Sequence, residues 1–140
     1  MALSRQSPGH VSRYFDRIAI ALSAICIVHC IAVPLVLTAL PIAAVWLGPE
    51  RHFHAAMLWL VLPTSVGGFA LGYRVHRRFG IVALGAVGVA ALTVAALWGH
   101  DQWPPAAESA VSIAGSVVLA AAHWLNFRDV RRLHHHTRRA

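Results

Sequence analysis

Long apolar blocks separated by short polar connections are the main pattern of the sequence. The blocks cover about residues 18–47, 55–73, 80–98 and 107–127. A helix needs about 20 residues to cross the roughly 30 Å hydrocarbon core of a bilayer, so each block is long enough to span a membrane. Short connections place consecutive helices antiparallel. The pattern predicts an all-α fold: a polytopic membrane protein with four transmembrane helices in an antiparallel bundle.

The first block is longer than one span requires and contains no charged residue. Pro34 and Pro41 interrupt it, and proline removes a helical hydrogen bond, so we expect a kink or a final part that lies at the membrane interface. A span that starts at Ile18 would place Cys30 about 18 Å into the core, because a helix rises about 1.5 Å per residue. The block therefore predicts a cysteine near mid-membrane.

The composition excludes several classes of protein. Apolar residues make up 58% of the chain, charged residues 12%, and the mean hydropathy is +0.62. Soluble domains carry about 25% charged residues, so these values are typical of a membrane protein and not of a disordered chain or a disulfide scaffold. The sequence shows no grouping of nucleophile, base and stabiliser and no paired carboxylates, so we predict that the protein is not an enzyme.

The basic charge is distributed as expected for a membrane topology. The net charge is +7, and all 12 basic residues are arginines. Eleven of them fall on one side of the four-helix topology, in the segment 1–13, at Arg17, in the second connection and in the Arg/His-rich tail 128–140, while Arg51 is opposite. The positive-inside rule then predicts cytoplasmic N- and C-termini. The arginines do not form a basic stripe on a soluble face, so we do not expect a nucleic-acid partner.

The segment Cys26-Ile27-Val28-His29-Cys30 carries the clearest candidate chemistry. Residues four apart share one face of a helix, with Cβ atoms about 5–6 Å apart, which is too far for a disulfide in a regular helix. Two thiolates on one face suit a soft metal ion, and His29 adds an imidazole. Simple packing of two small apolar cysteines is the alternative. A histidine inside a membrane is costly without a partner, which favours a ligand site.

Polar residues at the ends of the first and fourth helices form a second candidate cluster. Asp16 lies at the foot of helix one, and His123 and Asn126 lie near the end of helix four. We predict a hydrogen bond between His123 and the region of Asp16 that joins the two helices. A proton or metal relay through Asp16 and His123 is the alternative.

Further histidines lie in the opposite connections and in the tail. The first and third connections, on the side of Arg51, carry acidic and histidine side chains that could bind a cation: Glu50, His52, His54, His100 and Asp101. The alternative is that these side chains are simply solvated loop residues. The three consecutive histidines 134–136 belong to an Arg-rich tail that we expect to contact anionic lipid.

Several of these segments resemble the MerC-like membrane proteins of bacterial mercury resistance. The resemblance extends over about residues 14–133 and is carried by Asp16-Arg17, Cys26-Ile27-Val28-His29-Cys30 before Pro34, Phe53-His54, Gly72-Tyr73-Arg74-Val75-His76-Arg77-Arg78 and Ala122-His123-Trp124-Leu125-Asn126. It implies one four-helix domain over 14–133 in the bacterial inner membrane that takes up mercuric ion, with Cys26 and Cys30 as the binding element. The tail carries no cysteine, so cytosolic thiols are the expected acceptors of the ion.

Two functional hypotheses follow. The first is uptake or binding of mercuric ion or another soft cation by thiolate exchange at Cys26 and Cys30, with His29 as a further ligand and Asp16, His54 and His123 as weaker metal candidates. The second is a non-transporting membrane module in which Cys and His residues are structural or sense a metal or haem. The expected partners are the lipid bilayer, the soft ion and cytosolic thiols, with a homo-oligomer as an open alternative. No resident cofactor is expected.

Overall fold

Helices make up the computed structural model, which describes residues 8–39 and 50–137. Helix α1 covers Pro8–Ala39 and α2 covers Glu50–His76. Helix α3, Phe79–Val94, continues in a π-helical turn, Ala95–Gly99, and the three-residue α4 follows, His100–Gln102. Helix α5 covers Pro105–Thr137. The described residues contain no strand, and the prediction of an all-α fold is confirmed.

Four stretches are long and apolar enough to cross a membrane: Val11–Val33, Phe53–His76, Phe79–Gly99 and Pro105–Leu133. They match the four predicted spans in number and order. The helices themselves are longer than predicted, since α1 begins at Pro8 instead of 18 and α5 ends at Thr137 instead of 127. The apolar blocks set the predicted bounds, whereas helical hydrogen bonds continue through charged residues such as Asp16 and Asp129. The predicted end of helix one at 47 lies outside the described residues, as does Pro41.

Side-chain contacts establish that consecutive long helices run antiparallel. Cys30 near the end of α1 meets His54 near the start of α2, and Asp16 near the start of α1 meets His123 in the second half of α5. We call the end of the bundle where α1 begins and α5 ends the terminal end, and the other the opposite end. Arg51 is in the first turn of α2, at the opposite end. Eight described arginines belong to the terminal end: Arg13, Arg17, Arg74, Arg77, Arg78, Arg128, Arg131 and Arg132.

Glycines allow α3 to approach α5 closely. A Cβ added at Gly88 would lie 2.9 Å from the backbone nitrogen of Leu119, and one at Gly115 would lie 3.1 Å from the Cβ of Ala91. Small residues at such contacts let helix backbones pack against each other inside a membrane. Helix α1 packs against α2 and α5 on the other side, so α5 is shared by both halves of the bundle.

The interior of the bundle holds polar groups together with apolar ones, and the outer surface carries large apolar side chains. Residues three or four positions apart on α1 form a buried stripe: Ser12, Asp16, Ala19, Ser23, Cys26 and Cys30. Large apolar side chains on the outer surface are exposed, including Val28 (64%) and Trp59 (81%). This arrangement suits a protein whose outer surface faces lipid. The stripe places the candidate functional side chains along the centre of the bundle.

Candidate metal site

Cys26 and Cys30 lie one helical turn apart on the buried stripe of α1. Both are free cysteines and each is only 5% exposed. Cys26 and Ser116 of α5 line the same small cavity. The prediction that both cysteines lie on one face of the helix is confirmed, and the structure turns that face inward.

His54 brings an imidazole from α2 to this pair. Its Nε2 lies 3.6 Å from the Sγ of Cys30, and its side chain is buried. The sequence predicts His54 in the connection before helix two, in a group that binds a cation or is solvated. The placement in a connection is wrong, because α2 already begins at Glu50 and carries His54 into the bundle on its second turn. The structure therefore joins two groups that the sequence offered separately, the cysteine pair and one histidine of the opposite end.

Glu108 of α5 completes the arrangement from the other side of His54. Its Oε1 lies 3.2 Å from the Nδ1 of His54, and the carboxylate is buried. Glu108 is in the first turn of α5, where the positive end of the helix dipole stabilises a negative charge. The two atoms are within ion-pair distance but not in hydrogen-bond geometry. A negative charge this close to Nδ1 favours the tautomer that carries its proton there and its lone pair on Nε2, toward Cys30. Sequence reasoning missed Glu108 as a site residue, although an acidic residue just after Pro104-Pro105 marks a helix start.

His29 adds a second imidazole. Its ring stacks on the ring of Phe53, with centroids 3.5 Å apart. His29, Cys30 and His54 each offer one ligand atom, and these three atoms lie within 4.8 Å of one another. Sulfur and imidazole nitrogen are the donors that soft and borderline metal ions prefer. This donor set therefore fits a thiophilic cation better than a hard one.

A small cavity adjoins the Cys26 side chain. Its volume is about 20 Å³, and its polar lining consists of Ser23, Cys26, His54, Ser112 and Ser116. A space of this size holds a single water molecule or ion. The hydroxyl of Ser23, which is 1% exposed, has no hydrogen-bond partner among the described residues. Ser112 and Ser116 are four residues apart on one face of α5, and no other sequence pattern pointed to these three serines.

The candidate metal site lies near the opposite end of the bundle. Cys30 is three residues from the end of the span Val11–Val33, and His54 is the second residue of its span. The candidate span begins at Val11, seven residues before the predicted start at Ile18, which moves Cys30 from the middle of the span toward its end; the depth of Cys30 in a bilayer stays a prediction. The site is within a few turns of the surface from which a metal ion would arrive if that end faces outward.

Asp16 and His123 belong to a separate cluster near the terminal end. The Nδ1 of His123 lies 2.8 Å from the Oδ1 of Asp16, and both side chains are fully buried. The predicted hydrogen bond between helix four and the foot of helix one is confirmed. Asn126 donates to both carboxylate oxygens of Asp16, at 3.0 and 2.9 Å. Buried apolar side chains lie between this cluster and the cysteines: Ala19, Val61 and Leu119.

The remaining predicted groups fall partly outside the described residues. The side chains of Glu50, His52 and His100 and those of the tail histidines 134–136 are not described. Asp101 is exposed at the start of the short helix α4. Of the histidines predicted in the connections at the opposite end, His54 is the one whose side chain is described, and it is buried.

Comparison with known families identifies the chain. The family model described as MerC mercury resistance protein matches residues 16–128, which include both buried clusters. No curated protein and no solved structure gave a significant match. MerC proteins are membrane proteins of mercury resistance and are not an enzyme family. Since the matched region covers well over half of the sequence, this chain belongs to the MerC family of mercury resistance proteins.

Proposed function

We propose that the protein takes up mercuric ion, or another soft metal cation, through the membrane, with Cys26 and Cys30 as thiolate ligands. The observation that carries the proposal is the cluster at the opposite end, where a buried cysteine pair on α1 meets the imidazole of His54. Family membership supports mercury as the ion.

Two thiolates provide the charge that a buried dication needs. A bare divalent ion loses its hydration on leaving water, at a large free-energy cost, and two negative sulfurs offset that cost by neutralising the charge. Nε2 of His54 and the imidazole of His29 are close enough to Cys30 to act as further ligands. Glu108 holds His54 in the orientation that this role requires.

Ligand exchange supplies a route through the site. In this mechanism the ion arrives at the opposite end and displaces the thiol protons of Cys26 and Cys30, so that binding weakens as the pH falls. An ion held by two sulfurs leaves by transfer to a competing thiol, because direct dissociation of a soft ion from thiolates is slow. Cytosolic low-molecular-weight thiols are the acceptors in this proposal, with the termini in the cytoplasm of a bacterial inner-membrane protein.

Uptake of radioactive mercury into vesicles tests the proposal. We compare wild type with Cys26→Ser, Cys30→Ser and the double variant, and use Val28→Ala as the control, since Val28 lies between the cysteines on the exposed face of α1. Each serine variant should lose more uptake than the roughly tenfold effect typical of an outer-shell partner. The control should retain wild-type uptake.

The same preparations separate transport from binding alone. Equilibrium binding is measured on detergent-solubilised protein, and uptake on sealed vesicles loaded with a thiol. Cysteine-dependent binding without cysteine-dependent uptake would establish the non-transporting module. If the double variant binds and accumulates mercury like wild type at equal expression, the cysteines are packing residues and the proposal is wrong.

A further inference from the structure

An apolar groove runs along the outer surface of the bundle between α2 and α3. Its volume is about 540 Å³, and it extends from Leu62 to Tyr73 on α2 and from Phe79 to Val89 on α3. Its walls are open, since Val66 is 67% exposed and Phe79 is 71% exposed. Both helices belong to candidate membrane spans, so the groove opens toward the lipid around a membrane-spanning bundle.

The length of the groove matches one leaflet of a bilayer. The 11 residues from Leu62 to Tyr73 correspond to about 16 Å along a helix axis. One leaflet contributes half of the roughly 30 Å hydrocarbon core, about 15 Å. The groove begins at the connection between α2 and α3, at the terminal end, and stops near the middle of the span Phe53–His76. It therefore has the position of an acyl chain in the leaflet at the terminal end.

The floor of the groove is fixed by packing. The ring of Phe69 lies against Gly85, where an added Cβ would overlap it. Its other contact is with His123, whose ring stacks on it with centroids 4.2 Å apart. A groove that is already formed binds a ligand without the cost of ordering its own side chains.

Positive charge collects at the terminal end of the groove. The connection between α2 and α3 carries three exposed arginines, of which Arg78 is paired with Asp129 of α5 at 2.6 Å. The guanidinium of Arg77 lies over the ring of Tyr73, 5.9 Å from its centroid, and Tyr73 lines the groove. Arginine donates to phosphate with a planar fork of N–H groups. Arg77 therefore offers a phosphate contact at the mouth of an apolar groove.

The backbone of Arg77 adopts a conformation that favours glycine. Its φ is 55°, and it directly follows His76, the last residue of α2. Helices commonly end with a glycine at this position, because a Cβ is unfavourable in the left-handed region. The turn itself would thus be more stable with glycine, so the arginine side chain is retained at a cost.

We propose that this groove binds one anionic phospholipid of the bilayer, with an acyl chain between α2 and α3 and the phosphate at Arg77. Arg74 adds a second positive charge beside Tyr73. Basic pockets between transmembrane helices select anionic headgroups, whereas the ammonium group of a zwitterionic lipid cancels part of the attraction. The site is separate from the candidate metal site and does not depend on which metal the protein handles.

Native mass spectrometry of the full-length protein, released from detergent micelles, tests the headgroup contact. Phosphatidylglycerol and phosphatidylcholine with the same acyl chains are titrated in parallel. We expect one phosphatidylglycerol per chain to bind more tightly than phosphatidylcholine. Arg77→Gly should weaken this binding about fivefold, the effect of one basic residue near an anionic membrane, and glycine keeps the turn. The control Arg131→Gln removes an exposed arginine of α5 at the same end and should bind like wild type.

A second pair of variants tests the acyl-chain contact without changing any charge. Ala86→Trp fills the groove from an exposed position in its lining, whereas Val87→Trp adds the same bulk to a neighbouring exposed position outside it. Ala86→Trp should lose the tightly bound phosphatidylglycerol, and Val87→Trp should retain it.

Three results would overturn the proposal. Equal binding of the two lipids to wild type would mean that the headgroup is not recognised. Wild-type lipid binding by Arg77→Gly or Ala86→Trp, at wild-type helix content, would place the lipid elsewhere on the bundle. A dimer that excludes phosphatidylglycerol would make a second copy of the chain the occupant of the groove. None of these results bears on mercury binding at Cys26 and Cys30.

Discussion

The imidazole of His54 has two different neighbours, and they determine its chemistry. Nε2 faces Cys30 at 3.6 Å and Nδ1 faces Glu108 at 3.2 Å. An imidazole held in this way offers one nitrogen to a metal and uses the other to keep its orientation. Neither contact follows from the sequence, because Cys30 and His54 are 24 residues apart and Glu108 is on a third helix.

Replacing Glu108 should therefore weaken metal binding although Glu108 carries no proposed ligand atom. We expect Glu108→Gln to lower the affinity for mercuric ion, competed against a soluble dithiol, by about 10-fold or more, as is typical for an outer-shell partner. The matched control is Asp101→Asn, since Asp101 is an exposed acid in α4. Equal affinities for Glu108→Gln and wild type would mean that the carboxylate does not support the site.

The helices show which features a sequence pattern contains and which it lacks. Hydropathy predicts four spans because lipid selects long apolar stretches. The shared face of Cys26 and Cys30 follows from the helical repeat. The helix ends and the position of Cys30 within its span do not follow, since polar residues extend α1 to Pro8. The partners of the cysteines depend on which faces of α2 and α5 turn inward, and this is decided by packing between helices.

Helix α2 packs through its glycines against the buried cluster of Asp16, His123 and Asn126, which we call the inner cluster. This contact can be tested by substitution. A Cβ at Gly72 would overlap the side-chain amide of Asn126, which is hydrogen-bonded to His76 and Asp16. Gly72→Ala should therefore destabilise the protein by about 1–3 kcal/mol, the usual cost of overpacking. Gly80→Ala is the control, because nothing lies within 4 Å of a Cβ there, and alanine favours helix by up to about 1 kcal/mol.

Denaturant unfolding in detergent, followed by helical circular dichroism, measures both variants. The order expected is Gly80→Ala at or above wild type and Gly72→Ala clearly below it. Stability of Gly72→Ala equal to that of Gly80→Ala would show that Asn126 moves aside without loss, and that the inner cluster is less rigid than its hydrogen bonds indicate.

The molecule as a whole is asymmetric along the membrane normal. The thiol and imidazole groups lie near the opposite end, the Asp16–His123 pair lies toward the terminal end, and Ala19, Val61 and Leu119 separate them. Eight of the nine arginines in the described part of the chain belong to the terminal end. Chemistry and charge therefore define two distinct sides, and the orientation in the membrane decides which side an external ion meets first.

The arginine distribution predicts that orientation. Positive charges near short connections are retained in the cytoplasm, so the terminal end should face inward and the candidate metal site outward. This is the arrangement that uptake requires. An external ion then reaches Cys30 and His54 first, and the Asp16–His123 pair lies further in, behind the buried apolar side chains. The opposite orientation would present the thiols to the cytoplasm and would suit release or sensing instead.

Reporter fusions distinguish the two orientations. A green fluorescent protein after Ala140 should fluoresce, and alkaline phosphatase at the same position should be inactive, because the former matures in the cytoplasm and the latter requires the periplasm. A phosphatase fusion after Gln102, in the connection between α3 and α5, should be active and serves as the internal control.

Replacing Arg74, Arg77 and Arg78 together with glutamine should lower the fraction of correctly oriented chains, since it removes the basic residues of the connection between α2 and α3. Phosphatase activity after Ala140 together with none after Gln102 would reverse the predicted topology. Mercury uptake would then have to begin at the Asp16–His123 pair, where no thiol lies among the described residues.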